Sequence, residues 1–158
     1  SWMINSYLME YTTVKSSTHK GHSIYQEARA NEYEQSELIL MMFSGAVSFL
    51  DKAQAVSKEN QSLAGEYISK AKNIILEIMS SLNLEDSGAI GKTLLDTYAR
   101  QFRTLHMAHM SNDMKKVRHV RDSIAEIGDA WKELFNSEEY RTFKRIGLKK
   151  AEGAYSQR

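Results

Sequence analysis

The chain has 158 residues, no cysteine, no proline and only 8 glycines, and it sets 21 Lys+Arg against 20 Asp+Glu for a net charge of +1 with histidine neutral. One domain of that length can bury a core without a staple, and the lack of cysteine excludes a disulfide framework, thiolate metal sites and a cysteine nucleophile. So few turn-formers argue against a β-sandwich or barrel, and the near-neutral balance removes the bulk electrostatic case for nucleic acid or an anionic membrane.

No apolar run approaches the ~18 residues of a membrane span. The opening SWMINSYLMEY has no basic segment, apolar core or cleavage site of a signal peptide. The expectation is a soluble, cytoplasmic, all-helical single domain. Residues 1–24 are mixed and polar, without a sustained period, and read as a flexible arm. Trp2, Tyr7, Leu8, Met9 and Tyr11 make that arm apolar enough to lie in a groove.

From Gln35 the pattern becomes helical. Ile39, Met42, Phe43, Ala46, Phe49, Leu50, Ala53 and Val56 recur at steps of 3 and 4, which puts them on one helical face. The first turns, Leu38 to Phe43, are apolar all round, so that end should be covered on more than one side. KENQS breaks the run. A second helix is expected over Ser62–Asn83, with Ala64, Tyr67, Ala71, Ile74, Ile78 and Leu82 on its stripe. Ile68, Ile75 and Met79 widen that stripe beyond a single seam, which points to a groove. LEDSG is the next break, with Asp86 or Ser87 as a cap.

The third helix is expected over Ser87–Met110, with the stripe Leu94, Tyr98, Phe102 and Leu105. Ser111 or Asn112 is the expected cap of the fourth. Val117, Val120, Ile124, Ile127, Trp131 and Leu134 then run to about Asn136 in alternating steps of 3 and 4, a packing seam. Trp131, in phase with Val117 and Ile124, is expected in the core. The remainder, 137–158, is basic, with a short helix expected around Glu138–Ile146 before it frays. Short breaks make sequential helices antiparallel, so residues 25–136 should form an up-down four-helix bundle.

Little in the sequence carries chemistry. His106 and His109 stand at i and i+3, as do His19 and His22, but neither pair has the further ligands that a zinc site requires. The Glu-x-x-His step of di-iron bundles is missing, as are HExxH, a glycine-rich phosphate loop and G-x-S-x-G. Glu77, Glu126, Asp129 and Glu133 read as solvated helix faces. Met41, Met42, Met79, Met107 and Met110 lie on or near the stripes and suit either core filling or an adaptable surface. The expectation is no enzyme, no cofactor and no metal.

Four segments in order carry a family resemblance. Tyr25-Gln26 is followed by LILMMFSGA at 38–46. The second helix contains KAKNIILEI at 70–78 and then Ser81-Leu82-Asn83. The third holds Tyr98, Leu105, Ala108 and the turn Asn112-Asp113. The fourth has Val120, Ile127, Ala130 and Trp131. Together they resemble the flagellin export chaperone family, FliS, over residues 25–136. Two departures stand out. The family's Ser-Pro helix entry is Glu34-Gln35 here, leaving Ser36 or Asn31 as caps, and its Tyr-Asp-Gly is Phe43-Ser44-Gly45.

The resemblance implies a small cytoplasmic helical bundle. Such a protein holds the C-terminal segment of flagellin, prevents its early polymerisation and delivers it to the flagellar type III export apparatus. A client that folds on binding needs an extended apolar surface rather than a catalytic pocket. The candidate client-binding residues are Tyr25, Ile75, Met79, Leu82, Leu95, Tyr98, Phe102 and Met110, with Tyr25 able to fold back over an empty groove. The expected partner is the flagellin C-terminal region, with an export-gate component and flagellar regulators as further candidates; nucleic acid and membrane insertion are not expected. Two rival readings are an adaptor or regulatory bundle with another helical client, and a metal enzyme built on His106 and His109.

Overall fold

A computed structural model describes residues 35–82 and 84–156, and every regular element there is a helix: α1 (Gln35–Val56), α2 (Gln61–Ser80), α3 (Leu84–Ser111), α4 (Met114–Phe135) and α5 (Glu138–Ser156). The arm 1–24, Tyr25 and Asn31 lie outside the described residues, as do the side chains of Asp86 and Ser87.

Local chemistry sets the helix ends. The Asn60 side chain accepts the Leu63 N–H at 3.0 Å and so caps α2. At the other end of the bundle Asn112 takes a left-handed φ of 53°, a conformation asparagine tolerates. The next amide, Asp113 N–H, donates back to the Ala108 carbonyl at 3.0 Å and closes α3. Asp113 then turns its carboxylate forward to accept the Lys115 and Lys116 amides. The cap of α4 is therefore Asp113, not Ser111 or Asn112. Ser111 is already committed, its hydroxyl donating to the Met107 carbonyl at 2.9 Å. Gly88, at φ 58° and ψ −137°, interrupts α3 near its start; that backbone is open to glycine alone among ordinary residues.

Helix α1 packs on α2 and α4, and α3 closes the ring by packing on α2 and α4 in turn. With two- to four-residue connections this is an up-down antiparallel four-helix bundle. The stripes meet at its centre, where Leu38, Met42, Phe43, Ala46, Leu50 and Ala53 of α1 and Ala64, Ile68, Ala71, Ile74, Ile75 and Ile78 of α2 are buried. Tyr98, Leu105 and Ala108 of α3 complete the core with Val117, Val120 and Ile124 of α4. By length and composition α1 could cross a membrane; here its apolar face is filled by α2 and α4.

Polar links join the helices at the surface and at the edge of that core. Arg121 reaches Asp51 at 2.9 Å and Arg118 reaches Gln54 at 3.2 Å, tying α4 to α1 in antiparallel register. Gln101 donates to Ser123 at 2.6 Å, and the Trp131 indole N–H donates to the Tyr98 hydroxyl at 3.1 Å, tying α3 to α4. Trp131 is only half-buried, with one face against Phe135, ring centroids 5.6 Å apart.

Three further expectations change. Glu77 is buried rather than solvated. Ile68 and Ile75, which widen the α2 stripe, are core residues, because α2 has two neighbours and must bury an arc toward each. The C-terminal helix runs on to Ser156 instead of fraying after Ile146.

Candidate functional site

The α2–α3 seam can be built from three contacts. A side chain on Gly65 of α2 would come within 2.6 Å of His109 Nε2, so these two positions face each other closely. The Lys72 ammonium lies 5.7 Å from the centre of the Phe102 ring and 3.3 Å from His106 Nδ1. Lysine can only donate, so His106 accepts at Nδ1. With 65 opposite 109 and 72 opposite 102, the antiparallel register places Met79 opposite Leu95. Both are half-buried, as is Phe102. Met79, Leu95 and Phe102, three of the residues expected from sequence, therefore share one outer seam.

The other expected residues are placed differently. Ile75 and Tyr98 are fully buried and lie in the core beneath this surface. Leu82 is half-buried just past the end of α2. Met110 is 79 % exposed at the far end of α3, with Met107 also exposed nearby.

Electrostatics along the seam disfavour added positive charge. His109 is held below its ordinary value by partial burial, and by the charges of Lys72 and then His106. Burial pushes the Tyr98 phenol up, against the smaller opposing effect of the Trp131 hydrogen bond. Among the described residues no group of three His, Cys, Asp or Glu side chains is placed to hold a metal ion. His106 instead faces the Lys72 cation.

A second apolar surface was not singled out by the sequence. Leu40, Met41 and Val47 of α1 face Ala125 and Gly128 of α4 across a groove of about 460 Å³, with Phe43 in its wall and Asp129 and Lys132 at the edge. Gly128 makes the close approach, since a Cβ there would lie 3.1 Å from Phe43 Cβ. The signal was present in the all-round apolar start of α1, whose outer side chains are only partly covered by its two neighbours. The groove is mostly apolar, and the seam offers three half-buried apolar side chains beside polar neighbours; both suit an extended or helical peptide.

A family model described as "Flagellar protein FliS" matches residues 17–138. The chain is 31% identical over 120 residues to the flagellar secretion chaperone FliS of Bacillus subtilis, covering 74% of this chain and 87% of that protein. It is 34% identical over 100 residues to the Salmonella typhimurium protein of the same name, covering 62% and 74%. With the Escherichia coli protein of that name it shares 33% over 109 residues, covering 68% and 80%. A helical bundle with apolar surfaces on two of its flanks, matched over most of its length to these proteins, belongs to the FliS family, a family of chaperones and not of enzymes.

Proposed function

We propose that this chain is a cytoplasmic flagellar export chaperone. It holds the C-terminal segment of flagellin, blocks its premature polymerisation and delivers it to the flagellar type III export apparatus. Family membership supports the chaperone role. The observation that carries the client reading is the pair of apolar surfaces left open on the closed bundle: the Met79–Leu95–Phe102 seam with Leu82 and Met110 at its ends, and the groove floored by Leu40, Met41 and Val47. A disordered client that folds on binding gains its energy by covering such surface. Ile75 and Tyr98 contribute by shaping the core beneath the seam. In this reading Tyr25 and the arm before it occupy client surface in the empty chaperone.

Co-expression tests the reading. Full-length flagellin should stay monomeric and co-purify with the chain, whereas flagellin lacking its C-terminal segment should not. Equal capture of both forms would place the client contact elsewhere.

A further inference from the structure

Helix α5 lies beyond the family match, which ends at residue 138 where the helix starts. It packs slightly on the bundle, with Tyr140 tilted against Phe135 at 5.1 Å between ring centres. Between Tyr140 and Lys150 it carries Arg141, Lys144, Arg145, Lys149 and Lys150 and no acidic residue. The chain's total of +1 conceals this local concentration of charge. On the same helix Phe143 is 74 % exposed and Ile146 51 % exposed, so nothing in the described bundle covers them.

Spacing arranges these groups into an amphipathic surface. Phe143, Ile146 and Lys150 follow one another at steps of 3 and 4, on one stripe that Glu139 opens in the first turn. Lys149 runs along its flank. Leu148, itself 63 % exposed, lies on the other side with Arg145, at the cleft they share with Tyr140 and Leu40. Basic charge beside exposed Phe and Ile on one helix is the pattern of an interfacial helix.

We propose that α5 seats the bundle on an anionic lipid surface, with Phe143 and Ile146 entering the boundary between headgroups and acyl chains and Lys149 and Lys150 meeting lipid phosphates. Charge complementarity selects this occupant. A second copy paired in register would set the five cations of 141–150 against five, and nucleic acid would leave the two apolar side chains without a role. A protein groove covering the stripe would have to bury the Lys150 ammonium. At a lipid surface its long stem lets the charge rise to the headgroups while its neighbours stay below. The proposal does not depend on which client the bundle carries.

Flotation of the full chain with vesicles tests it, comparing phosphatidylcholine alone with a mixture containing phosphatidylglycerol. Binding is expected to the anionic vesicles only, weakening with salt. Lys149→Gln with Lys150→Gln should weaken it by roughly 25-fold, at about fivefold per cation. Phe143→Ser with Ile146→Ser should weaken it by roughly tenfold or more, with thermal unfolding unchanged because both side chains are exposed. Three results would overturn the proposal: no preference for anionic vesicles, undiminished binding by the Phe143/Ile146 double variant, or displacement from vesicles by a short RNA at equal phosphate concentration.

Discussion

The hydrogen bond between Trp131 and Tyr98 makes a quantitative prediction about what holds α3 to α4. Tyr98 is fully buried, and its hydroxyl is 3.1 Å from the indole N–H of the half-buried Trp131. Truncating Trp131 to alanine removes the stacking on Phe135 and strips the buried hydroxyl of its partner. A fully buried Trp→Ala costs about 3–5 kcal/mol. Half exposure reduces that to about 2 kcal/mol, and the orphaned hydroxyl adds about 1–2 kcal/mol. The sum, about 3–4 kcal/mol, should lower Tm by roughly 10 °C for a domain of this size. Trp131→Phe and Tyr98→Phe separate the hydrogen bond from the packing. Each removes one partner, and a double-mutant cycle should return a coupling of about 0.5–1.5 kcal/mol. Urea melts followed by circular dichroism measure all four proteins. A coupling of zero would refute the hydrogen-bond argument. Unchanged stability of Trp131→Ala together with lost client binding would show that this side chain belongs to the recognition surface.

Three further outcomes follow from the polar contacts. In Gly65→Ala the new methyl meets only the tip of His109, an exposed side chain that can rotate away; stability should hold or rise by up to about 1 kcal/mol from helix propensity, and the His109 titration seen by NMR should move back toward 6.5. Because the folded state lowers the His109 pKa, it favours the neutral ring. The stability His109 contributes is therefore fully present above the unfolded value of 6.5 and is lost as pH falls through the lowered folded value, and His109→Gln should flatten the stability profile in that window. Asp51→Asn breaks an ion pair with side chains 33 % and 52 % exposed and should cost under about 1 kcal/mol in the same urea melts, less at high salt.

Periodicity alone located the bundle. Apolar steps of 3 and 4 mark all four of its helices, and short breaks between them dictate the antiparallel order. Depth was harder to read, because one stripe does not reveal how many neighbours a helix has. Ile75 reads as surplus apolar face until α2 is seen between α1 and α3. Tyr98 looks like a surface anchor until its ring is found beneath Trp131, beside Phe43 at 6.1 Å between centres. Ends misled where two residues compete for one role: Asn112 is taken by the left-handed turn, so the cap falls to Asp113. The length of α5 was hidden by Gly147 and Gly153, each costing a helix only about 1 kcal/mol against alanine. Of the candidate site, Met79, Leu95 and Phe102 were legible. The α1–α4 groove was not, since it depends on how closely Gly128 lets two distant segments approach.

Calorimetric titration of the chain with a flagellin C-terminal peptide tests the central claim most directly. The expected result is a stoichiometry near one to one, a strongly negative heat-capacity change from apolar burial, and marked weakening by Met79→Ser with Phe102→Ser. No binding at tens of micromolar, or full-strength binding by that seam variant and by a Leu40→Ser/Met41→Ser groove variant alike, would contradict it.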